Sequence, residues 1–145
     1  MPVTDRQVAT LLAQLASRTA EHRRLLAQLD WKSDGPGYTA LLDAAFFEAA
    51  DRRFNSQTTD EEIIAYVANV RSRTEETADA VDPGYAERLI AKVLGRGSID
   101  DLEDKTATRT KHLLLAALTI DRGYDDTGLD EFLTAARKTA DHWLA

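Results

Sequence analysis

Three histidines are the residues of this sequence best suited to bind a transition metal: His22, His112 and His142. Di-iron helical bundles use Glu-x-x-His on two helices, because that spacing turns both ligands inward. Here the residue three positions before each histidine is threonine or arginine. The zinc motif His-Glu-x-x-His is missing as well, and the chain has no cysteine. The sequence therefore predicts neither a bound metal nor another cofactor.

An acidic segment between two predicted helices is similar to a calcium-binding loop, with Asp121, Asp125 and Asp126 as candidate ligands. The EF-hand requires oxygen ligands at positions 1, 3 and 5, glycine at position 6 and glutamate at position 12. Counted from Asp121, position 3 is Gly123 and position 12 is Phe132. We interpret the segment as a glycine-terminated helix followed by the acidic cap of the next helix.

Two acidic pairs, Glu61-Glu62 and Glu76 with Asp79, are similar to the motifs with which all-α nucleotide pyrophosphohydrolases hold magnesium. In that family the two motifs lie on different helices that face each other. Here both pairs fall on one predicted helix, about two turns too far apart to share one ion. We do not adopt the resemblance. Because no serine lies in a Gly-x-Ser-x-Gly elbow either, the sequence predicts no catalytic residue.

Composition excludes several classes of protein. The 145 residues carry a formal net charge of −7, from 18 basic and 25 acidic side chains. A nucleic acid or an anionic membrane requires a concentrated positive surface, so neither is an expected partner. No apolar run of about 18 residues is present, so no segment is expected to span a membrane. The first residues lack a secretory signal, which predicts a cytoplasmic protein, and frequent arginine and alanine suggest a bacterial origin.

Apolar residues recur at helical spacing between a few glycines and prolines, and no strand-like alternation occurs. Thr4 with Gln7, Thr59 with Glu62, and Asp82 before proline are helix-start signals. The predicted helices cover residues 4–30, 38–54, 59–79, 82–95, 98–123 and 127–145. The polar stretch from 103 to 111 either continues the fifth helix or breaks it. We therefore predict one all-α domain over residues 1–145, a bundle of about six helices with short loops.

Two groups of apolar residues support different functions. The aromatic cluster of residues 31–54 forms either core or the wall of a ligand pocket; it consists of Trp31, Tyr38, Phe46, Phe47 and Phe54. The last helix has an apolar face that we expect to be buried, consisting of Leu129, Phe132, Leu133, Ala136, Ala140 and Trp143. Core is the more common role for such aromatic residues.

The first predicted helix is about 27 residues long, near 40 Å, which exceeds what a bundle of this size needs for one layer. Its apolar stripe follows the alternating spacing of paired helices, with two polar residues in the seam. We expect this stripe to bind a second copy of the chain; it consists of Val8, Leu11, Leu15, Arg18, His22, Leu25 and Leu29. The leading prediction is a non-catalytic interaction or regulatory protein that forms a homodimer. The alternative is a small-molecule-binding or enzymatic helical bundle with a pocket near the aromatic cluster.

Overall fold

A computed structural model of the chain describes residues 2–145. Over those residues the protein is all-helical, with no strand. The helices are α1 (Asp5–Leu15), α2 (Thr19–Gln28), α3 (Trp31–Arg53), α4 (Asp60–Arg71), α5 (Glu75–Ala80), α6 (Pro83–Val93), α7 (Asp104–Arg122) and α8 (Asp126–Leu144). The all-α prediction is confirmed, with eight helices rather than about six. None of the helices in residues 2–145 is long and apolar enough to cross a bilayer.

The chain divides into two compact units. The first unit contains the chain up to Glu48 and from Arg122 onward, and the second contains Ala49–Asp121. Large buried side chains in the first unit include Leu11, Leu41, Leu42, Phe46, Phe132 and Leu133. Those in the second include Ile63, Leu89, Ile90, Leu114 and Leu115. The single domain over residues 1–145 stays a prediction.

Side-chain caps start the helices where the sequence predicted them. The Thr4 hydroxyl accepts a hydrogen bond from the backbone N–H of Gln7, whose side chain accepts one from the N–H of Thr4. Thr59 and Glu62 form the same reciprocal box at the start of α4. Asp82 caps α6, which begins at Pro83. These side chains satisfy N–H groups that have no partner within the helix.

The single long first helix is a wrong prediction, because α1 ends at Leu15 and α2 begins at Thr19. Ser17 has a φ of 59°, the left-handed conformation that usually selects glycine. Its N–H donates to the carbonyl of Gln14, and the N–H of Arg18 donates to that of Ala13. This pair of bonds is a Schellman motif, which ends a helix. The break was missed because serine occupies the glycine position.

The loop predicted over residues 31–37 is also wrong, because α3 begins at Trp31 and contains Pro36. Asp30 caps this helix by accepting a hydrogen bond from the N–H of Lys32. The carboxylate of Asp34 accepts bonds from the N–H of Asp30 and from the side-chain amide of Gln7. The contact with Gln7 comes from α1. Tertiary contacts thus favour a helix that the local sequence disfavours.

Two further boundaries differ from the predictions. The third predicted helix is divided, since α4 ends at Arg71 and Thr74 caps a separate α5. The fifth begins at Asp104 rather than near residue 98, and the threonine-rich stretch is continuous helix. Glu103 accepts hydrogen bonds from the backbone and hydroxyl of Thr106 at its start. Within the stretch, the buried Thr110 hydroxyl donates to the backbone carbonyl of Thr106, so its polar group is satisfied inside the helix.

The apolar face of α8 is buried at five of its six predicted positions: Leu129, Phe132, Leu133, Ala136 and Ala140. Trp143 is the exception, with 49% of its surface exposed. Its ring meets that of Phe47 edge to face, with the centroids 5.9 Å apart. Trp143 therefore packs at the margin of the first unit's core instead of within it.

Gly35 and Gly37 of α3 allow a matched test of the contact between α3 and the Gln7 side chain of α1. A Cβ at position 37 would lie 2.6 Å from the Gln7 Oε1 atom, whereas one at position 35 would only touch Trp31 at 3.8 Å. We expect Gly35→Ala to raise the free energy of unfolding by about 0.5–1 kcal/mol, because alanine is the better helix residue. Gly37→Ala should be less stable than Gly35→Ala by about 1–3 kcal/mol, because the buried Gln7 amide has to leave its hydrogen bonds. Urea unfolding measures both.

A double-mutant cycle supplies the control. In a Gln7→Ala background the side chain that obstructs position 37 is absent, so Gly37→Ala should no longer be destabilising relative to Gly35→Ala. An equal cost of Gly37→Ala in both backgrounds would show that the contact with Gln7 does not determine stability here.

Candidate functional site

The second unit contains a pocket of about 420 Å³ into which aromatic, basic and acidic side chains converge. We call it the Tyr66 pocket. Its lining consists of Arg53, Phe54, Glu62, Ala65, Tyr66, Asn69, Arg73 and Asp121. These residues come from the end of α3, from α4 and the turn after it, and from the last turn of α7.

The spacing of the α4 residues explains why they share one wall. Glu62, Ala65, Tyr66 and Asn69 follow one another at intervals of three, one and three residues. Residues three and four apart lie on the same face of an α-helix. Arg73 follows the C-cap of α4, Ser72, so its long side chain is able to return along that face.

A hydrogen-bond network on the Asp121 carboxylate fixes the polar side of the pocket. The Tyr66 hydroxyl donates to the Oδ2 atom of Asp121 at 2.9 Å, and Arg73 Nη2 donates to the same oxygen at 2.8 Å. Arg73 also donates to the side-chain oxygen of Asn69, through Nη2 at 2.8 Å and Nε at 3.2 Å. Four side chains thus hold one another in place, with charge-assisted bonds at the centre.

The apolar side consists of two rings and a guanidinium group. Phe54 and Tyr66 are buried and meet edge to face, with their centroids 5.4 Å apart. The guanidinium carbon of Arg53 lies 5.1 Å from the centroid of Phe54 and 5.2 Å from that of Tyr66. Both distances are within the range of cation–π attraction. Arg53 therefore lies close to both rings, and its guanidinium N–H groups make no hydrogen bond within residues 2–145.

The pKa shifts make the site unsuited to acid–base catalysis near neutral pH. Burial raises the pKa of Tyr66, and its hydrogen bond to Asp121 raises it further. The hydrogen bond from Arg73 holds the pKa of Asp121 below its ordinary value, and the Tyr66 hydroxyl lowers it too. At pH 7 the tyrosine is protonated and the aspartate is charged. A general acid or base works best with a pKa near the operating pH, so these groups are suited to binding.

Some charged groups of the pocket have no hydrogen-bond partner among residues 2–145, and the residues that carry them are exposed to solvent. Arg53 donates no hydrogen bond there, and the Oδ1 atom of Asp121 accepts none. Guanidinium N–H groups are strong donors and carboxylate oxygens are strong acceptors. The pocket therefore offers one cationic donor and one anionic acceptor to a bound molecule.

A second pocket, of about 440 Å³, lies in the first unit between the starts of α1 and α3 and the end of α8. Its polar side chains are engaged with one another: Gln7 bonds both Thr4 and Asp34, and Asp34 bonds the backbone of Asp30. These bonds satisfy the helix starts described above. We therefore assign this pocket a structural role.

The predicted partner-binding stripe is distributed over two helices. Leu11 and Leu29 are buried, so they belong to the core. Val8, Leu15 and Leu25 are half-buried. The two seam residues also have partners: Arg18 pairs with Glu21 and Asp126, and the Nδ1 atom of His22 lies 2.9 Å from the Thr10 carbonyl oxygen. No continuous seam along one helix exists, and binding of a second copy stays a prediction.

The metal candidates are not brought together. In residues 2–145 no group of three or more histidine, aspartate or glutamate side chains is placed to hold a metal ion. Glu61-Glu62 and the pair Glu76 and Asp79 do lie on different helices, α4 and α5, so our argument that they share one helix is wrong. They nevertheless form no such group within the part of the chain that the structure describes.

The aromatic cluster of residues 31–54 contains core residues and one residue of a pocket wall, and a ligand-binding role stays a prediction. Tyr38 and Phe46 are buried in the first unit, whereas Trp31 is 53% exposed. Phe54, at the end of the cluster, is a wall of the Tyr66 pocket. Of the other lining residues, Glu62 and Asp121 were considered above only as metal ligands, and the rest carry no motif, although Glu62, Tyr66 and Asn69 share a helix face. No signal in the sequence connects that face with Asp121.

Comparisons with protein-family models, curated proteins and solved structures found no match to this chain.

The pKa of Asp121 tests the network directly. Arg73→Met removes the largest cause of the lowered pKa, so we expect this pKa to rise toward its ordinary value. Tyr66→Phe should give a smaller rise, because it removes a weaker, neutral donor. Carboxyl-detected NMR titration measures both changes. The pKa of Asp101, which Arg88 lowers, is the internal control and should stay constant; equal rises at both carboxyls would contradict the assignment.

Proposed function

We propose that this protein is a non-catalytic small-molecule-binding protein whose ligand occupies the Tyr66 pocket. The observation that carries the proposal is a pair of charged groups, Arg53 and the Oδ1 atom of Asp121, that have no hydrogen bond within residues 2–145 and lie beside a buried aromatic wall. Small-molecule sites are typically concave and largely apolar, with a few placed polar groups that orient the ligand.

Preorganisation strengthens this proposal. The Asp121 carboxylate is oriented by Tyr66 and Arg73, and the Arg53 guanidinium by two rings. Groups that are already held in place lose little side-chain entropy when a ligand arrives, so more of the interaction energy contributes to affinity. The same network argues for binding over catalysis, because it supplies neither a general base nor an activated nucleophile.

Of the two functions that the sequence left open, the pocket supports the ligand-binding alternative. An interaction protein is expected to present a broad apolar patch, whereas convergent polar groups in a pocket of about 420 Å³ are typical of a ligand site. Cytoplasmic localisation and bacterial origin stay predictions.

A defined metabolite mixture tests the proposal. It contains amino acids, nucleotides, sugar phosphates and dicarboxylates, and bound compounds are detected by saturation-transfer NMR. We expect at least one compound to bind the wild type and to be lost in Ala65→Trp, whose indole would occupy the pocket. Ala68→Trp is the matched control, since Ala68 is an exposed alanine of the same helix that does not line the pocket.

Two results would overturn the proposal. One is the absence of any bound compound at millimolar concentration. The other is binding that Ala65→Trp and Ala68→Trp leave equally unchanged, since the compound would then lie elsewhere. Circular dichroism of both variants establishes that they are folded.

A second candidate function is self-association through α1 and α2. The specific observation is that α2 contains no buried residue, while Leu25 on α2 and Val8 and Leu15 on α1 are only half-buried. Apolar surface of this kind is stabilised when a partner covers it. We propose a homodimer in which both helices take part, in place of pairing along one long helix.

Light scattering at micromolar concentration decides the oligomeric state. We expect a dimer for the wild type, and a folded monomer for Leu15→Glu with Leu25→Glu, because two buried carboxylates would oppose the interface. A monomeric wild type contradicts the prediction. A double variant that loses its helical content would assign these leucines to the core of the first unit.

A further inference from the structure

We propose that the ligand of the Tyr66 pocket is a free α-amino acid, bound with its carboxylate on Arg53 and its ammonium group on the Oδ1 atom of Asp121. The inference rests on the proposed function and names the ligand class of that site. The apolar part of the amino acid would lie against the wall that Phe54, Ala65 and Tyr66 form.

Arg53 would bind the carboxylate of the amino acid. Its guanidinium is held over the rings of Phe54 and Tyr66, and it donates no hydrogen bond to residues 2–145. A cation–π contact does not use the hydrogen-bonding capacity of the guanidinium N–H groups. A planar fork of donors matches a carboxylate, which it binds through two parallel hydrogen bonds.

Asp121 would bind the ammonium group of the amino acid. Tyr66 and Arg73 both donate to its Oδ2 atom, so the two protein donors leave Oδ1 without a hydrogen bond in the described part of the chain. Both donors also stabilise the charged form of the carboxylate. A charged oxygen that is fixed in direction and lacks a donor is suited to an ammonium group, which carries three N–H donors.

The charges of the lining residues select for a ligand without net charge. Arg53 and Arg73 are balanced by Glu62 and Asp121. A dicarboxylate or a nucleotide would place uncompensated negative charge beside Asp121 and Glu62, which costs free energy in a partly desolvated site. A zwitterion would hydrogen-bond with both Arg53 and the Oδ1 atom of Asp121, and it would leave the net charge of the pocket unchanged.

The wall of the pocket selects for an apolar side chain. Phe54 and Tyr66 present aromatic surface, and Ala65 leaves room above it. An apolar side chain gains free energy when its surface is removed from water, in proportion to the area buried. We therefore choose L-phenylalanine as the probe, because analogues that lack one charged group at a time are readily compared with it.

Isothermal titration calorimetry with the wild-type protein measures the contribution of each charged group of the ligand. L-phenylalanine should bind, and L-phenylalaninamide, which lacks the carboxylate, should bind at least tenfold more weakly. 3-Phenylpropanoate, which lacks the ammonium group, should also lose at least tenfold. This comparison requires no variant, so misfolding does not affect it.

Two arginine variants then assign the carboxylate end. Arg53→Gln should weaken L-phenylalanine at least tenfold and should abolish the difference between L-phenylalanine and its amide. Arg52→Gln, a change at the neighbouring exposed arginine that does not line the pocket, should leave the affinity unchanged. An Arg53→Gln variant that keeps full selectivity for the carboxylate overturns this assignment.

The remaining outcomes separate the inference from the proposed function. If amino acids fail to bind while a nucleotide, sugar phosphate or dicarboxylate binds in a manner that Ala65→Trp abolishes, the amino-acid inference is wrong and the proposed function stands. Equal affinity for L-phenylalanine and both analogues also overturns the inference. If no compound binds, both proposals are wrong.

Discussion

Backbone N–H groups at the start of a helix have no partner within it, and in this chain side chains satisfy them at most helix starts. Such capping residues are Thr4, Thr59, Thr74, Asp82 and Asp125. At α4 the cap and the Tyr66 pocket share a residue, because Glu62 accepts hydrogen bonds from Thr59 and also lines the pocket. The cap that starts α4 therefore also fixes a residue in the wall of the Tyr66 pocket.

The two oxygens of Asp121 have different roles. One accepts both protein donors, Tyr66 and Arg73, and thereby ties the α4 wall to the last turn of α7 within the second unit. The other has no such partner. A carboxylate that is oriented by two donors does not need to reorganise when a cation arrives. In the site that we propose, one side chain would therefore combine structural support with ligand binding, and the Tyr66 hydroxyl donates to it because burial keeps the pKa of Tyr66 high.

Local signals in the sequence predicted the fold better than the site. The capping box of Thr59 and Glu62 and the end of α7 before Gly123 are each determined by residues a few positions apart. The helix that continues through Pro36 was missed because its decisive contact, from Gln7 to Asp34, spans 27 residues. The site is harder still, since the bond from Tyr66 to Asp121 spans 55 residues. Helical periodicity determines which residues share a face, but it does not determine what that face meets.

Both tryptophans of the chain, Trp31 and Trp143, belong to the first unit. Each is about half exposed and packs edge to face on a neighbouring ring, Tyr38 or Phe47. Indole emission is sensitive to such surroundings, so tryptophan fluorescence measures the unfolding of the first unit. The second unit contains no tryptophan. Far-ultraviolet dichroism, by contrast, records the helices of both. Fluorescence and dichroism therefore distinguish unfolding of the first unit from unfolding of the whole chain during denaturation. If the two transitions coincide, the two units unfold cooperatively.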